Sequence, residues 1–397
     1  MEYIDRLQVN LLLEDVKASI EKFETENSDI ARVEALEKSL KLTKALEHPK
    51  DAILKLFLSS TQSMALKIAH DLGIFQILTK SNKVFSSKEL AEKTGATPLL
   101  IERVMRLLVA MDFAKEYGTG KFHRTLLSEE MTDDRSGGIV DTMFVDIFPA
   151  VLKTPEFLSK TNYQIPEDRF AGPMQYTYGT KLTTFDWLAD DVAVHERFHA
   201  FVQHIRDNRP FWVDWYPVQE RILDGYSGEE NDALIVDIGA GSGRDMLAFK
   251  KKFADTTGRI VIQDLPSVFD DVHYHDLGLE KIGYDVFSPQ PTKGARAYFL
   301  KFLLHEFSDE NCIAILKNVT QAMERGHSKI LIEEYILRDD DAGLFHSMVD
   351  MILMVFAPGG LRTKSRWINI LESVGLTINI VFHPDGDGPS IIEAELA

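Results

Sequence analysis

The stretch ALIVDIGAGSG, residues 233–243, decides the fold. An apolar run ends in Asp237, and Gly239, Gly241 and Gly243 follow on alternate positions. RDMLAFKKKF (244–253) then has helical spacing, and RIVIQD (259–264) is a second apolar run closed by an acid, Asp264. Strand, glycine turn, helix, strand and acid in that order describe a site for a nucleotide-like cofactor. Alternate glycines let the backbone pass close to a ligand, and the Asp264 carboxylate can accept both hydroxyls of a ribose. The spacing is GxGxG, not the GxGxxG of dinucleotide sites, and no GK[ST] follows. Nothing in the stretch cradles a pyrophosphate. A nucleoside with a short charged tail fits better, and S-adenosylmethionine has that shape.

Working outward toward the C-terminus, apolar runs at 233–238, 259–263, 281–287, 295–304, 329–337, 376–382 and 390–396 read as strands. Helical patterns at 244–254, 309–323, 343–356 and 364–374 separate most of them. This alternation predicts an α/β sheet, mostly parallel and covered on both faces. Ligands of such sheets sit at the carboxyl ends of the strands. Asp237, Asp264, Asp285, His305 and Glu334 all fall at or near such ends.

Toward the N-terminus the pattern is helical up to about residue 128. Leu7, Leu11, Leu12, Val16 and Ile20 recur at helical spacing, a charged helix is expected over 28–45, and 53–78 reads as a buried helix pair. In FSSKELAEKTGATPLLIERVMRLLVAMDFAKEYGTGKFHRT (85–125), Ser86 or Ser87 can cap a short helix, Gly95 ends it, and Pro98 opens a longer one. Leu100, Val104, Leu107 and Leu108 mark that helix's apolar face, and two short runs around Tyr117–Gly120 form a hairpin. Helix, turn, helix and hairpin make a winged helix. Its second helix carries only Arg103 and Arg106 as cations, so it reads as an interaction or dimer surface and not as a DNA reader.

Between these blocks, residues 129–230 are rich in aromatics and hold His195, His199, His204 and Arg206. Aromatics beside a cofactor domain suit a flat apolar substrate. Phe198, Val202, Arg206, Trp212 and Met354 are the candidate pocket residues. The His195/His199 pair lacks an acid at ligand spacing, so no metal is expected. The domain reading is residues 1–128, a helical winged-helix domain, and 129–397, an aromatic-rich helical linker with a Rossmann-like cofactor-binding domain.

Composition narrows the classes. The 397 residues carry a formal net charge of −18, which speaks against nucleic acid as a partner. Cys312 is the single cysteine, so a disulfide framework is excluded. The first residues lack the basic flank and apolar centre of a signal peptide, and no apolar run approaches spanning length. A cytoplasmic location without membrane contact is expected.

These pieces together resemble the class I S-adenosylmethionine-dependent O-methyltransferases of the plant caffeic-acid type and their fungal secondary-metabolite relatives. The matching segments are VDIGAGSG (236–243), VIQDLPSV (261–268), FSPQPTKGARAYFLKFLLHEFSDENC (287–312), ILIEEYIL (330–337) and GGLRT…W…ILESVGL (359–376). QYTYGT…FDWL (175–188) and FWVDWYP (211–217) look like the fungal branch, and the winged helix matches that family's dimerisation domain. The resemblance implies a homodimer with a mostly parallel seven-stranded sheet, and it makes 1–128 a dimerisation domain and the cofactor-binding domain of 129–397 catalytic. It implies that Asp237, Gly239, Gly241, Gly243, Asp264, Leu265, Asp285, Val286 and Lys301 hold the cofactor. His305 corresponds to the general base and Glu334 to the acid that orients it. Adjacent residues on a strand face opposite ways, so Glu333 is expected in solvent.

The implied chemistry agrees with the residue types. A neutral histidine can take the proton of a phenol or enol near neutral pH, and a carboxylate on its other nitrogen sets the tautomer. One departure stands out. Arg362-Thr363-Lys364 replaces the family's RTE, so a lysine occupies the position of a second acid near the base. Close to His305 it would lower the imidazole's proton affinity or stabilise an oxyanion; pointing to solvent, it would do neither. With Arg206 or Arg362, Lys364 keeps open an alternative: a relative that binds S-adenosylmethionine but catalyses dehydration or pericyclic closure.

Overall fold

The computed structural model describes residues 5–207, 209–271, 278–386 and 388–397. The chain falls into two compact units. One comprises residues up to Ala18 with Leu36–Thr161 and Pro173–Arg209; the other comprises Ser19–Ala35, Asn162–Gly172 and Pro210–Ala397. The divide near residue 209 differs from the expected boundary at 128, and helix packing explains the difference. A Cβ on Gly138, in the helix Asp134–Asp141, would lie 2.5 Å from the Ala200 Cβ of the helix Val192–Asp207. The second helix is tied down further along by Arg197 on the buried Asp146 (2.9 Å).

In the first unit the winged helix is present. Ser86 caps the helix Ser87–Thr94 in a reciprocal capping box with Glu89, and Gly95 ends it at a φ of +74°. Thr97 caps the helix Pro98–Ala110, and a three-stranded antiparallel sheet joins Phe85–Ser86 to Lys121–His123 and Lys115–Glu116. The buried face of Pro98–Ala110 is Ile101, Val104, Met105 and Leu108; Leu100 points outward. The expected buried helix pair over 53–78 is half right. Ile74, Phe75 and Leu78 are in the core, but the helix Pro49–Leu58 buries none of its residues. His70, Asp71 and Asp141 lie close enough to share a cation, and the Lys67 ammonium ion-pairs both carboxylates.

The second unit carries the large sheet. Its strands are β1 (Ala233–Ile238), β2 (Arg259–Asp264), β3 (Glu280–Gly283), β4 (Ala297–Lys301), β5 (Lys329–Glu334), β6 (Leu376–Phe382) and β7 (Ser390–Leu396). The spatial order is β6-β7-β5-β4-β1-β2-β3, with only β7 antiparallel to its neighbours. After running outward through β2 and β3, the chain returns to the other side of β1 as β4. The β1/β4 junction is therefore the switch point where such sheets open a crevice.

Period-two alternation sorts the side chains. Tyr298, Leu300, Ile330 and Ile332 face α2 (Asp309–Thr320) and α4 (Lys364–Ser373). Phe299 and Leu331 face α1 (Arg244–Lys252) and Trp212. Three expected strands are shorter than their apolar runs. β3 stops where the Phe287 N–H turns back to Asp285 Oδ1 (3.0 Å). β4 stops at Phe302, whose φ is +50°, and the 329–337 run breaks after Glu334, with Ile336–Leu337 pairing with Arg362–Thr363. No helix among the described residues is long and apolar enough to cross a membrane.

Candidate active site

The alternation decides where the acids of β5 go. Glu334 shares the parity of Ile330 and Ile332 and faces the α2 side; Glu333 shares that of Leu331 and faces α1. Both are buried, so the expectation that Glu333 is solvated is overturned: it is 1 % exposed. Lys301 of β4 has the same parity and meets it. The Lys301 ammonium lies 3.3 Å from Glu333 Oε1 and 2.8 Å from Asp245 Oδ1 in the first turn of α1. Glu333 Oε2 is buried without a hydrogen-bond partner, and burial, only partly offset by Lys301, pushes its carboxyl up to about 7.

On the other face stands His305. Phe302 leaves β4 in the left-handed region, an uncommon conformation for a bulky side chain, and the next residues close the short turn Leu304–Glu306. The turn brings His305 Nδ1 to 2.6 Å from Glu334 Oε2, while the His305 N–H donates to Glu334 Oε1 at 3.2 Å. One carboxylate thus holds both ring and backbone. Nδ1 is the protonated nitrogen when Glu334 is ionised, which leaves Nε2 as the acceptor. Burial weakens the imidazole's hold on a proton. The charge and hydrogen bond of Glu334, with Glu306, outweigh burial and the opposing Arg362, and His305 sits above the ordinary histidine value. The Phe302 ring packs beside it (5.7 Å between centroids) and stacks on Tyr335 (5.6 Å, 28°).

Lys364 is not the cation near this dyad. It is exposed at the start of α4, and its charge acts on Asp339 and His383. Thr363 caps α4, its side chain accepting from the Arg366 N–H. Arg362, two residues earlier, is the cation that His305 feels.

At the neighbouring strand ends the glycine turn links β1 to α1, with Gly239, Gly241 and Gly243 all at positive φ, from +52° to +76°. Such angles favour glycine. A Cβ on Gly239 would meet Leu303 at 2.9 Å, so the turn lies close against the chain that leads to His305. The Gly241 N–H donates to Asp264 Oδ2 (2.8 Å) and the Leu265 N–H to Asp264 Oδ1 (2.8 Å). A carboxylate oxygen can accept more than one hydrogen bond. Asp264 is in register with Gly283, which sets Asp285 just past the end of the adjacent strand. Asp285, Leu265 and Phe287 are exposed, Val286 half-buried and Asp237 buried. Two carboxylates beside exposed apolar faces, next to a turn of close-packed backbone, fit a nucleoside. The buried Glu333 oxygen near Lys301 adds a polar group without a partner at the same end of the sheet.

The candidate pocket residues lie on several elements. Phe198, Val202 and Arg206 follow one another at i, i+4 and i+8 on the helix Val192–Asp207 of the first unit, all half-buried. Met354 belongs to the second unit, on α3 (Leu344–Phe356), and is half-buried. Trp212 is a correction: it is 0 % exposed and stacked on Phe299 (4.8 Å) and Phe249 (5.8 Å), filling the core under the sheet. Its size and flatness suit packing between α1 and β4 as well as they suit a pocket. Sequence reasoning missed the pairing of Asp245 and Glu333 with Lys301. The signal was a pair of acids closing a strand that is otherwise apolar.

Known proteins agree with this architecture. The profile of the O-methyltransferase domain matches residues 167–377, and that of the O-methyltransferase dimerisation domain matches 54–134. The O-methyltransferase asqD of Emericella nidulans is 35% identical over 84% of this chain and 86% of its own. Two solved structures are similar in fold. One is OxaC in complex with S-adenosylhomocysteine and oxaline (TM-score 0.82, 26% identity, 99% of this chain and 100% of that one). The other is a pericyclic reaction enzyme (TM-score 0.85, 24% identity, 97% and 99%). The chain belongs to the O-methyltransferase family built on a methyltransferase domain and a dimerisation domain, and it is an S-adenosylmethionine-dependent O-methyltransferase.

Proposed function

We propose that the protein methylates a hydroxyl of a small aromatic or polyketide-like secondary metabolite, with His305 as general base. The observation that carries this reading is the 2.6 Å contact between Glu334 and His305 Nδ1, which leaves Nε2 as the proton acceptor. S-adenosylmethionine, when bound, supplies an electrophilic methyl group. Asp264 would hold its ribose, with Asp285 and Val286 toward the adenine amine and Leu265 against the base. The glycine turn 239–243, Asp237 and Lys301 would line its amino-acid end. The substrate O–H proton passes to His305 Nε2, Glu334 stabilises the imidazolium, and the oxygen is left as a nucleophile. Met354 of α3 would contribute to substrate selection. OxaC is bound to oxaline in its structure; by analogy we expect a small-molecule substrate here. We also propose a homodimer through the N-terminal unit, supported by the uncovered apolar helix Pro49–Leu58.

The test is incubation with methyl-labelled S-adenosylmethionine and a panel of phenolic and pyridone-type metabolites. Label in a product, with equal S-adenosylhomocysteine, is expected. Conversion without label would move the protein to the non-methylating reading, which draws on fold likeness to the pericyclic reaction enzyme; Lys364 lends it no support. His305→Ala should abolish turnover while S-adenosylhomocysteine still binds. Because the base form exists only above a raised histidine value, kcat should fall on the acid side with a midpoint above about 6.5. Turnover that survives in His305→Ala removes the base assignment.

A further inference from the structure

The turn that carries His305 is fastened from one side by the segment Gly359–Arg362. Arg362 is 2 % exposed. Its Nη1 donates to the Leu304 carbonyl (2.9 Å), its Nη2 to the Phe307 carbonyl (2.5 Å) and its Nε to Asp309 Oδ1 (2.8 Å). Between those two carbonyls, the His305 carbonyl accepts from the Gly360 N–H at 2.8 Å. A Cβ on Gly359 would fall 1.9 Å from that same oxygen, so the approach is possible only for glycine. Asp309 is itself held by Arg366 (2.6 Å), and the Arg362 guanidinium lies over the Trp367 ring at 5.3 Å. The fork is thus engaged with the protein, as suits a planar group with several fixed donors.

We propose that Arg362 is a positioning residue for His305: it holds the turn so that the imidazole keeps its contact with Glu334, and it sets one buried positive charge against the carboxylates around the ring. This goes beyond the base reading and rests on it. Among the described residues, the charges acting on His305 include Glu334 from β5, Glu306 from its own turn and Arg362 from the segment before α4; Asp309 of α2 acts through Arg362, and Asp350 of α3 accepts from the Leu361 N–H of that segment (2.7 Å). Cys312 of α2, with Sγ 3.1 Å from the Leu304 carbonyl, is kept neutral by burial, which pushes its thiol up to about 12. Removing the cation leaves the carboxylates unopposed, so the imidazole should keep its proton to higher pH.

The experiment follows the His305 ring by NMR titration in full-length protein, the signal being assigned by its loss in His305→Ala. The kcat–pH profile and S-adenosylhomocysteine affinity are measured alongside. In Arg362→Met the ring titration should move away from wild type, to higher pH where the lost cation dominates and to lower pH where the turn lets go of Glu334; the acid limb of kcat should move with it, and affinity should stay within about twofold. Arg362→Lys keeps the charge but cannot hold two carbonyls. It should leave the titration near wild type and lower kcat by about tenfold. An unmoved titration in Arg362→Met overturns the proposal. If that variant does not fold, Arg362→Lys decides, and wild-type kcat in it overturns the proposal. A titration that moves while the acid limb stays put leaves Arg362 in its role and removes His305 as the base.

Discussion

Two neighbouring glutamates on β5 have opposite environments because a strand turns successive side chains to opposite faces. Glu334 reaches a histidine, whereas Glu333 reaches a lysine that Asp245 already neutralises. That difference has a measurable consequence. With its carboxyl pushed up to about 7 by burial, Glu333 holds its proton more tightly folded than unfolded. Its contribution to stability is therefore highest at low pH and declines as pH rises from the ordinary glutamate value to about 7. Glu333→Gln should remove this decline, so its stability advantage over wild type should grow between pH 5 and 8, by about 1–3 kcal/mol. Denaturant melts across that range check it; parallel curves for the two proteins would show that Glu333 pairs well enough with Lys301 to ionise freely. The sequence placed the two acids on opposite faces and predicted helices over both, but it could not say which side chains would meet Glu333 at the end of the strand.

At the scale of elements, the site is made by short connections and not by the strands themselves. The glycine turn after β1 needs three residues at positive φ, and its pattern is legible in the sequence because only glycine takes such angles without strain. The His305 turn is a different case. It depends on Phe302 in a conformation that its residue type disfavours, and on the Gly359–Arg362 segment lying against it from some fifty positions away. No local periodicity reports such a contact. Gly359→Ala would drive a methyl into the His305 carbonyl. It should reduce kcat by about a hundredfold, since small displacements of a reacting group cost that much, while S-adenosylhomocysteine affinity stays within about threefold. Rapid-quench turnover and calorimetry on one preparation separate the two. Equal losses of both would place the damage in the whole unit instead of the turn.

For the whole molecule, each unit has its own core, and the N-terminal one leaves apolar surface uncovered. Phe57 on the helix Pro49–Leu58 is 76 % exposed, with Ile53, Leu54 and Leu56 exposed beside it. Contiguous apolar surface of this kind marks an interface, and the dimerisation-domain match begins within this helix. Phe57→Glu should raise the dimer dissociation constant by about thirtyfold or more, because a buried aromatic is lost and a charge must be desolvated. Sedimentation against concentration measures it, and an unchanged constant would move the interface to another face of the unit. The sequence read this helix as buried from its composition alone. In a single chain it is not.

What the sequence by itself determined is what local rules encode: seven strands in order, the helices between them, the glycine turn with Asp264, and a winged helix with capped ends. Period, propensity and backbone angle act within a few residues, so they can be read without knowing the partners. Tertiary structure alone decided the rest. It buried Glu333 against Lys301 and Asp245, turned Lys364 outward, sealed Trp212 in the core, and brought Arg362 to the carbonyls around His305. Those outcomes depend on which distant surfaces meet, and burial and charge pairing arise only once they have met.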